Sequence, residues 1–175
     1  MKTLLEKLIL YFRKIPNFIN DREKIANIVF SPLNFRANGE LKGNAYKGKR
    51  GYDDLSVNRL DYTTLNFCKR QGLKLQEKST IKEKNFFGIA ILFAVEIRKL
   101  ATVIPSPIRG FNGNRAHAEI KTGFILQQGE VAPAKYNFIA DELARKSRIF
   151  KDEDVKSKRW NSKNSNEIIT LKLKS

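Results

Sequence analysis

The apolar positions of this chain fall into short blocks whose spacing switches between helical and alternating, with Gly-, Asn- and Lys-rich stretches between them. Leu4, Leu5, Leu8 and Phe12 recur at helical spacing between Lys2 and Lys14. That predicts an amphipathic helix closed ahead of Pro16, because the residue before a proline is pushed out of the helical region. Ile25–Phe30 is β-branched and aromatic, which predicts a strand, and Ser31-Pro32 breaks it. Arg36–Arg50, rich in Gly, Asn and cations, reads as a loop or loose hairpin rather than a packed element. Leu55, Val57 and, less regularly, Leu60 predict a short strand. Thr63 or Thr64 then caps a helix that carries Leu65, Phe67 and Cys68 and stops at Gly72. Lys69–Lys84 is polar and basic and reads as a surface connection.

The densest apolar block begins at Phe86. Phe86–Phe93 reads as a buried strand, Ala94–Leu100 as one or two helical turns and Ala101–Pro105 as a second strand, although the same periodicity fits one helix over Ile89–Leu100. Pro105-Ser106-Pro107 fixes an extended exit, followed by a Gly110–Asn114 loop. From Arg115 to Gly123 the chain alternates, with Ala116, Ala118 and Ile120 on one face and His117, Glu119 and Lys121 on the other. Pro133 opens a helix whose stripe is Phe138, Ile139, Leu143 and Ala144, with Lys146 and Arg148 where the helix dipole favours cations. The expected fold is α+β: a 1–20 amphipathic helix, a single 21–150 domain built on a small mixed sheet with a C-terminal helix, and a basic polar 151–175 tail with a candidate edge strand at Glu167–Leu173. One domain suits 175 residues.

Charge adds the first functional information. Lysine and arginine number 34 against 18 acidic residues, a formal charge of +16. A surface of that sign attracts polyanions, and nucleic acid, DNA or RNA, is the partner expected first. The candidate contacts are cations interleaved with aromatics: Arg36, Lys42, Tyr46, Lys47, Lys49 and Arg50 in the first loop, Lys69 and Arg70, Arg109, and Lys158, Arg159 and Trp160 in the tail. No dinucleotide or P-loop glycine spacing is present, and no cofactor is called for. The single Cys68, read as a buried small hydrophobe, excludes an internal disulfide and points to a reducing, cytoplasmic setting. Glu6 and Lys7 interrupt the first apolar run, so it is not a secretion signal. Phe86–Val95 is about half the roughly 20 residues that a membrane-crossing helix needs.

A second reading is enzymatic. His117 is the one histidine and titrates near neutrality, so it is the candidate general acid or base, with Glu119 on the same strand face. Arg115 or Arg109 would stabilise an anion, and Ser56 is a candidate partner for His117 if their strands neighbour. That set suits metal-independent cleavage of RNA, whose 2′-OH supplies the nucleophile, and hence a small nuclease or toxin-like enzyme. The opposing reading makes His117 a structural residue bonded to the backbone near Pro105 and Pro107. Metal chemistry is not expected: Asp53 and Asp54 point apart, and Asp152-Glu153-Asp154 reads as a solvated cluster. A third reading is an interaction subunit that docks on a protein partner through its N-terminal helix.

The segments Ala45-Tyr46-Lys47, Leu55-Ser56-Val57, Gly88-Ile89-Ala90, Val95-Glu96-Ile97-Arg98, Val103–Pro107 and His117-Ala118-Glu119-Ile120 resemble a family of short, uncharacterised bacterial proteins with an LSV…P-x-P…HA-x-I pattern. The resemblance covers residues 28–125 and departs at Tyr46, where the family has Phe, and in the more basic loops. It implies a compact intracellular α+β domain and places Ser56 and His117 inside recurring motifs. It implies no reaction.

Overall fold

The computed structural model describes residues 14–109, 113–157, 159–161, 167–168 and 171. The predicted N-terminal helix, Lys158 and most of the predicted Glu167–Leu173 strand lie outside the described residues. In chain order the elements are β1 (Lys24–Pro32), β2 (Leu55–Arg59), α1 (Leu65–Glu77), β3 (Lys84–Phe93), α2 (Ala94–Arg98), β4 (Thr102–Pro105), β5 (His117–Lys121), α3 (Ala134–Lys146) and β6 (Arg148–Lys151). Short 3-10 turns occupy Gly43–Tyr46 and Leu60–Tyr62.

The six strands form one sheet in the order β4-β5-β2-β1-β3-β6. Its pairings are all antiparallel, so the α+β class is as predicted while the sheet is not mixed. The connections explain this. α1 carries the chain from β2 across β1 to β3, and the two strands it joins run the same way but are separated by β1.

Side chains alternate across a strand, and both faces of the central pair are covered. Ile25 and Val29 of β1 and Ala90 and Leu92 of β3 pack in one cluster with Ile139, Ala140, Leu143 and Ala144 of α3. Ala26, Ile89 and Ile91 pack in a second cluster with Cys68 of α1 and Phe150 of β6. Two-sided burial accounts for the unbroken apolar run of β3, which is a strand and not the alternative helix. The strand stops at Phe93, whose N–H donates to Glu96 Oε2 at 2.8 Å as α2 begins.

Four local expectations are corrected. Thr64 caps α1, its Oγ1 accepting from Phe67 N, but the helix runs through Gly72 to Glu77. Gly72 is there for packing: a Cβ would lie 2.2 Å from the Phe86 ring. Nor does Ser31-Pro32 break β1, which stays paired with β3 as far as Pro32↔Lys84 across a register shift at Val29/Phe30 that leaves Phe87 without an opposite residue. The Gly43–Tyr46 turn inside the supposed loop is packed, with a Cβ on Gly43 falling 2.3 Å from Asp141 Oδ1 of α3 and Asn27 Nδ2 donating to Ala45 O at 2.6 Å. On α3, Phe138 is 60% exposed, and Tyr136 takes its place in the buried stripe.

The stretch read as a polar tail is part of the domain over 152–157 and 159–160. The Lys69 ammonium, fully buried on α1, lies 2.6 Å from Asp152 Oδ2 and donates to the carbonyls of Asp154 (2.6 Å) and Arg159 (2.8 Å). Two of its protons go to carbonyl oxygens, and the Asp152 carboxylate beside it balances the charge. Asp152 Oδ1 in turn accepts from the Asp154 and Asn161 N–H groups, so Asp152 is buried and is no solvated cluster. Lys69→Ala strands that carboxylate and should cost about 3–5 kcal/mol of unfolding free energy. The pair Lys69→Met with Asp152→Asn, which keeps the Oδ1 acceptor, should recover more than half of it in a urea titration. An unchanged midpoint for Lys69→Ala would contradict this assignment.

Candidate nucleic-acid interface

α1 packs on β1 and β3, so the same sheet face is left polar over β2, β5 and β4. β2 and β5 are neighbours, with Ser56 opposite Glu119 and Asn58 opposite His117. Ser56 and His117 therefore sit diagonally on one face, the proximity that the sequence left conditional. No hydrogen bond joins them among the described residues.

His117 is 8% exposed, and its Nδ1 lies 2.7 Å from the Ser106 carbonyl oxygen. A carbonyl only accepts, so Nδ1 carries the proton and Nε2 the lone pair in the neutral ring. The Ser106 N–H donates back to His117 O at 3.0 Å, and Ser106 Oγ donates to Glu119 Oε1 at 2.7 Å. Asn114 closes the other side, its Nδ2 donating to Asn58 Oδ1 at 2.7 Å and its Oδ1 accepting from Ala116 N. His117 and Glu119 thus hold the Pro105–Pro107 exit against β5. Arg109 and Arg115 are exposed beside them, and Gly110–Asn112 of the intervening loop lie outside the described residues.

Several cations read as ligand contacts are spent inside the fold. Arg59 of β2, outside that set, is consumed in the same way, with Nε and Nη2 on the Glu23 carboxylate at 2.8 and 2.9 Å and two further protons on the carbonyls of Pro16 and Phe18. Lys69 is the buried cation described above. Lys47 Nζ donates to Asn137 Oδ1 at 2.6 Å, and Arg50 Nη1 donates to the carbonyls of Gln127 and Glu130. Tyr46 is no flat surface for a base: it is 1% exposed, its hydroxyl meets Ser147 Oγ at 2.6 Å, and burial raises its pKa above the usual phenol value. Cys68 is buried as expected, and burial pushes its thiol up to about 12, far from a nucleophile. Trp160 packs edge-on to Phe86, its backbone N–H bonded to Asn66.

Arg36, Lys42 and Lys49 remain available, their side chains making no ion pair among the described residues. Arg70, Arg109 and Arg159 are also exposed, but elsewhere on the surface. Arg36 and Lys42 flank a small hairpin, closed by the Phe35↔Leu41 bridge and the Arg36 N–H to Glu40 O bond. Its tip turns at Gly39, whose φ of 85° suits glycine.

Between this hairpin and the approach to β3 lies a cleft of about 710 Å³, lined by Pro32, Leu33, Phe35, Ile81 and Phe87 with Arg36, Lys42 and Glu83 among its polar residues. Phe35 and Phe87 meet at its floor with ring centroids 4.6 Å apart. Lys151 Nζ stands 5.9 Å from the Phe87 centroid, and Lys84 Nζ stands 4.4 Å from that of Phe30. Partial burial, and then the charge of Lys49, hold the Lys84 ammonium below its usual pKa. Sequence reasoning missed Phe35, Phe87 and Lys151, and it took in Ile81 and Lys84 only as part of the basic Lys69–Lys84 patch. The Phe86-Phe87 doublet carries the usable signal, since adjacent strand residues face opposite ways and only Phe86 is needed under α1.

Among the described residues, no helix is long and apolar enough to cross a membrane, and no three His, Cys, Asp or Glu side chains are grouped to hold a metal ion. No family model, curated protein or solved structure matches the chain. If His117 serves chiefly as a clamp, His117→Ala should lower unfolding free energy by about 1–3 kcal/mol, the cost of a buried carbonyl left without its donor. His117→Asn, whose Nδ2 reproduces the donor, should stay within about 1 kcal/mol of the parent in the same urea titration. Equal losses for Ala and Asn would refute the clamp.

Proposed function

We propose that this chain is a nucleic-acid-binding module that holds its ligand through phosphates, with Arg36, Lys42 and Lys49 as principal contacts and Arg70, Arg109 and Arg159 as outlying ones. The observation that carries the reading is which charges the fold consumes. The ion pairs of Glu23, Asp21, Asp61, Asp152, Glu119 and Glu142 each match one cation to one carboxylate, so they leave the excess of +16 untouched. Near the 36–42 hairpin Arg36, Lys42 and Lys49 outnumber the exposed carboxylates of Glu40 and Glu83, and they adjoin aromatic surface. Phosphates supply the complementary charge, and releasing their counterions drives the association.

The test is a binding isotherm for a labelled oligonucleotide over a salt series. Affinity should fall steeply between about 50 and 200 mM salt with little dependence on sequence. The triple variant Arg36→Gln, Lys42→Gln, Lys49→Gln should bind more weakly. It should also flatten the plot of log K against log salt by about 2, at ~0.7 per single-strand phosphate contact. Binding that is absent, or indifferent to salt, overturns the proposal.

A further inference from the structure

We infer that the cleft floored by Phe35 and Phe87 is a nucleobase subsite, taking one unpaired base while Arg36 and Lys42 hold the adjoining phosphates. This deepens the phosphate-binding reading above and rests on it.

Concavity comes first. The apolar surface here is recessed between the hairpin and the Ile81–Phe87 segment, within the ~300–1,000 Å³ range of small-ligand sites. Such a slot admits a flat, compact group. A membrane-binding surface instead presents its apolar residues outward to reach the acyl boundary.

Chemistry comes second. The floor is aromatic, and tilted Phe35 and Phe87 offer ring faces and edges together, which suits a π-system of any base identity. Ile81, 51% exposed, forms an apolar lip on which the far side of a base would rest.

The third element is the charge around the slot. Arg36 and Lys42 line it, Lys151 stands over Phe87, and Glu83 is the opposing carboxylate. An anion that brings its own flat apolar body satisfies both parts at once, and a nucleotide is such a molecule. A paired base has both faces stacked and its phosphates held at helical spacing, so the slot selects single strands.

Three probes of one 12-nucleotide sequence separate base from phosphate: the intact DNA strand, the same strand with abasic sites in place of its nucleosides, and the blunt duplex. The full chain should bind the intact strand about 5- to 160-fold more tightly than the abasic strand at equal salt, the worth of one stacked base. Ile81→Asn, on an exposed side chain, removes the apolar lip without adding charge and should shrink that ratio towards one while changing duplex and abasic affinities less than two-fold. Phe87→Leu, which keeps apolar volume but removes the ring, should do the same.

If the parent binds all three probes equally, or if both variants keep the intact-over-abasic preference, the base subsite is wrong and the phosphate reading stands. If no probe binds, both fall. If the variants instead weaken binding to vesicles containing phosphatidylserine and leave the strand preference intact, the cleft's occupant is lipid and the subsite is overturned.

Discussion

The pairing of β1 with β3 is the constraint from which the rest of the domain follows. Registered from Lys24↔Phe93 to Pro32↔Lys84, these strands carry apolar side chains on both faces and so demand cover on both. α3 supplies one cover and α1 the other. Outside the pair the demand relaxes, and β2 and β5 revert to alternation, with Val57, Ala118 and Ile120 inward and Ser56 and Glu119 on the polar face. The ladder ends at Pro32, where the chain swings into the 36–42 hairpin and the cover from α3 gives way to solvent. The cleft lies at that place because sheet, hairpin and the Ile81–Phe87 segment stop short of closing over Phe35 and Phe87.

A surplus of cations makes this fold electrostatically awkward, and the answer is to bury some of them with partners. Arg59 binds Glu23 and two carbonyls, fastening the Pro16–Glu23 segment to β2. Lys69 does the same for Asp152–Arg159 against α1. A buried ion pair seldom adds net stability over an apolar substitute, but breaking one is costly. Its effect is therefore to fix where a polar segment sits. Both segments lie at the ends of the domain, where apolar residues are sparse, so specific charge geometry does what packing does in the centre.

Five of the six strands were legible from periodicity, alternation in β5 and unbroken hydrophobicity in β3 among them, but β6 was not, since Arg148 reads as the end of the preceding helix. The three corrections with a common cause all concern residues whose character is set by something distant in sequence. Gly72 reads as a stop until Phe86 is placed against it. Lys69 reads as solvated until Asp152 arrives from the far end of the chain, and Tyr46 reads as an exposed aromatic until Ser147 meets its hydroxyl. Long-range contacts do not show in local pattern. The candidate site suffered more than the fold for the same reason, since its floor joins Phe35 to Phe87 across the sheet and its cations come from four separate stretches.

The fate of His117 separates residue rarity from function. As the only histidine it attracts a catalytic reading, yet its Nδ1, its backbone oxygen and the neighbouring Glu119 all converge on Ser106, and Asn114 and Asn58 close the network behind it. Every bond in that set ties β5, or the Asn114 turn that leads into it, to the segment following β4 or to β2. Residues that a fold requires are recognisable by partners within the chain. Residues held ready for a ligand are recognisable by the lack of them, and among the described cations Arg36 and Lys42 meet that condition while lining an apolar cleft.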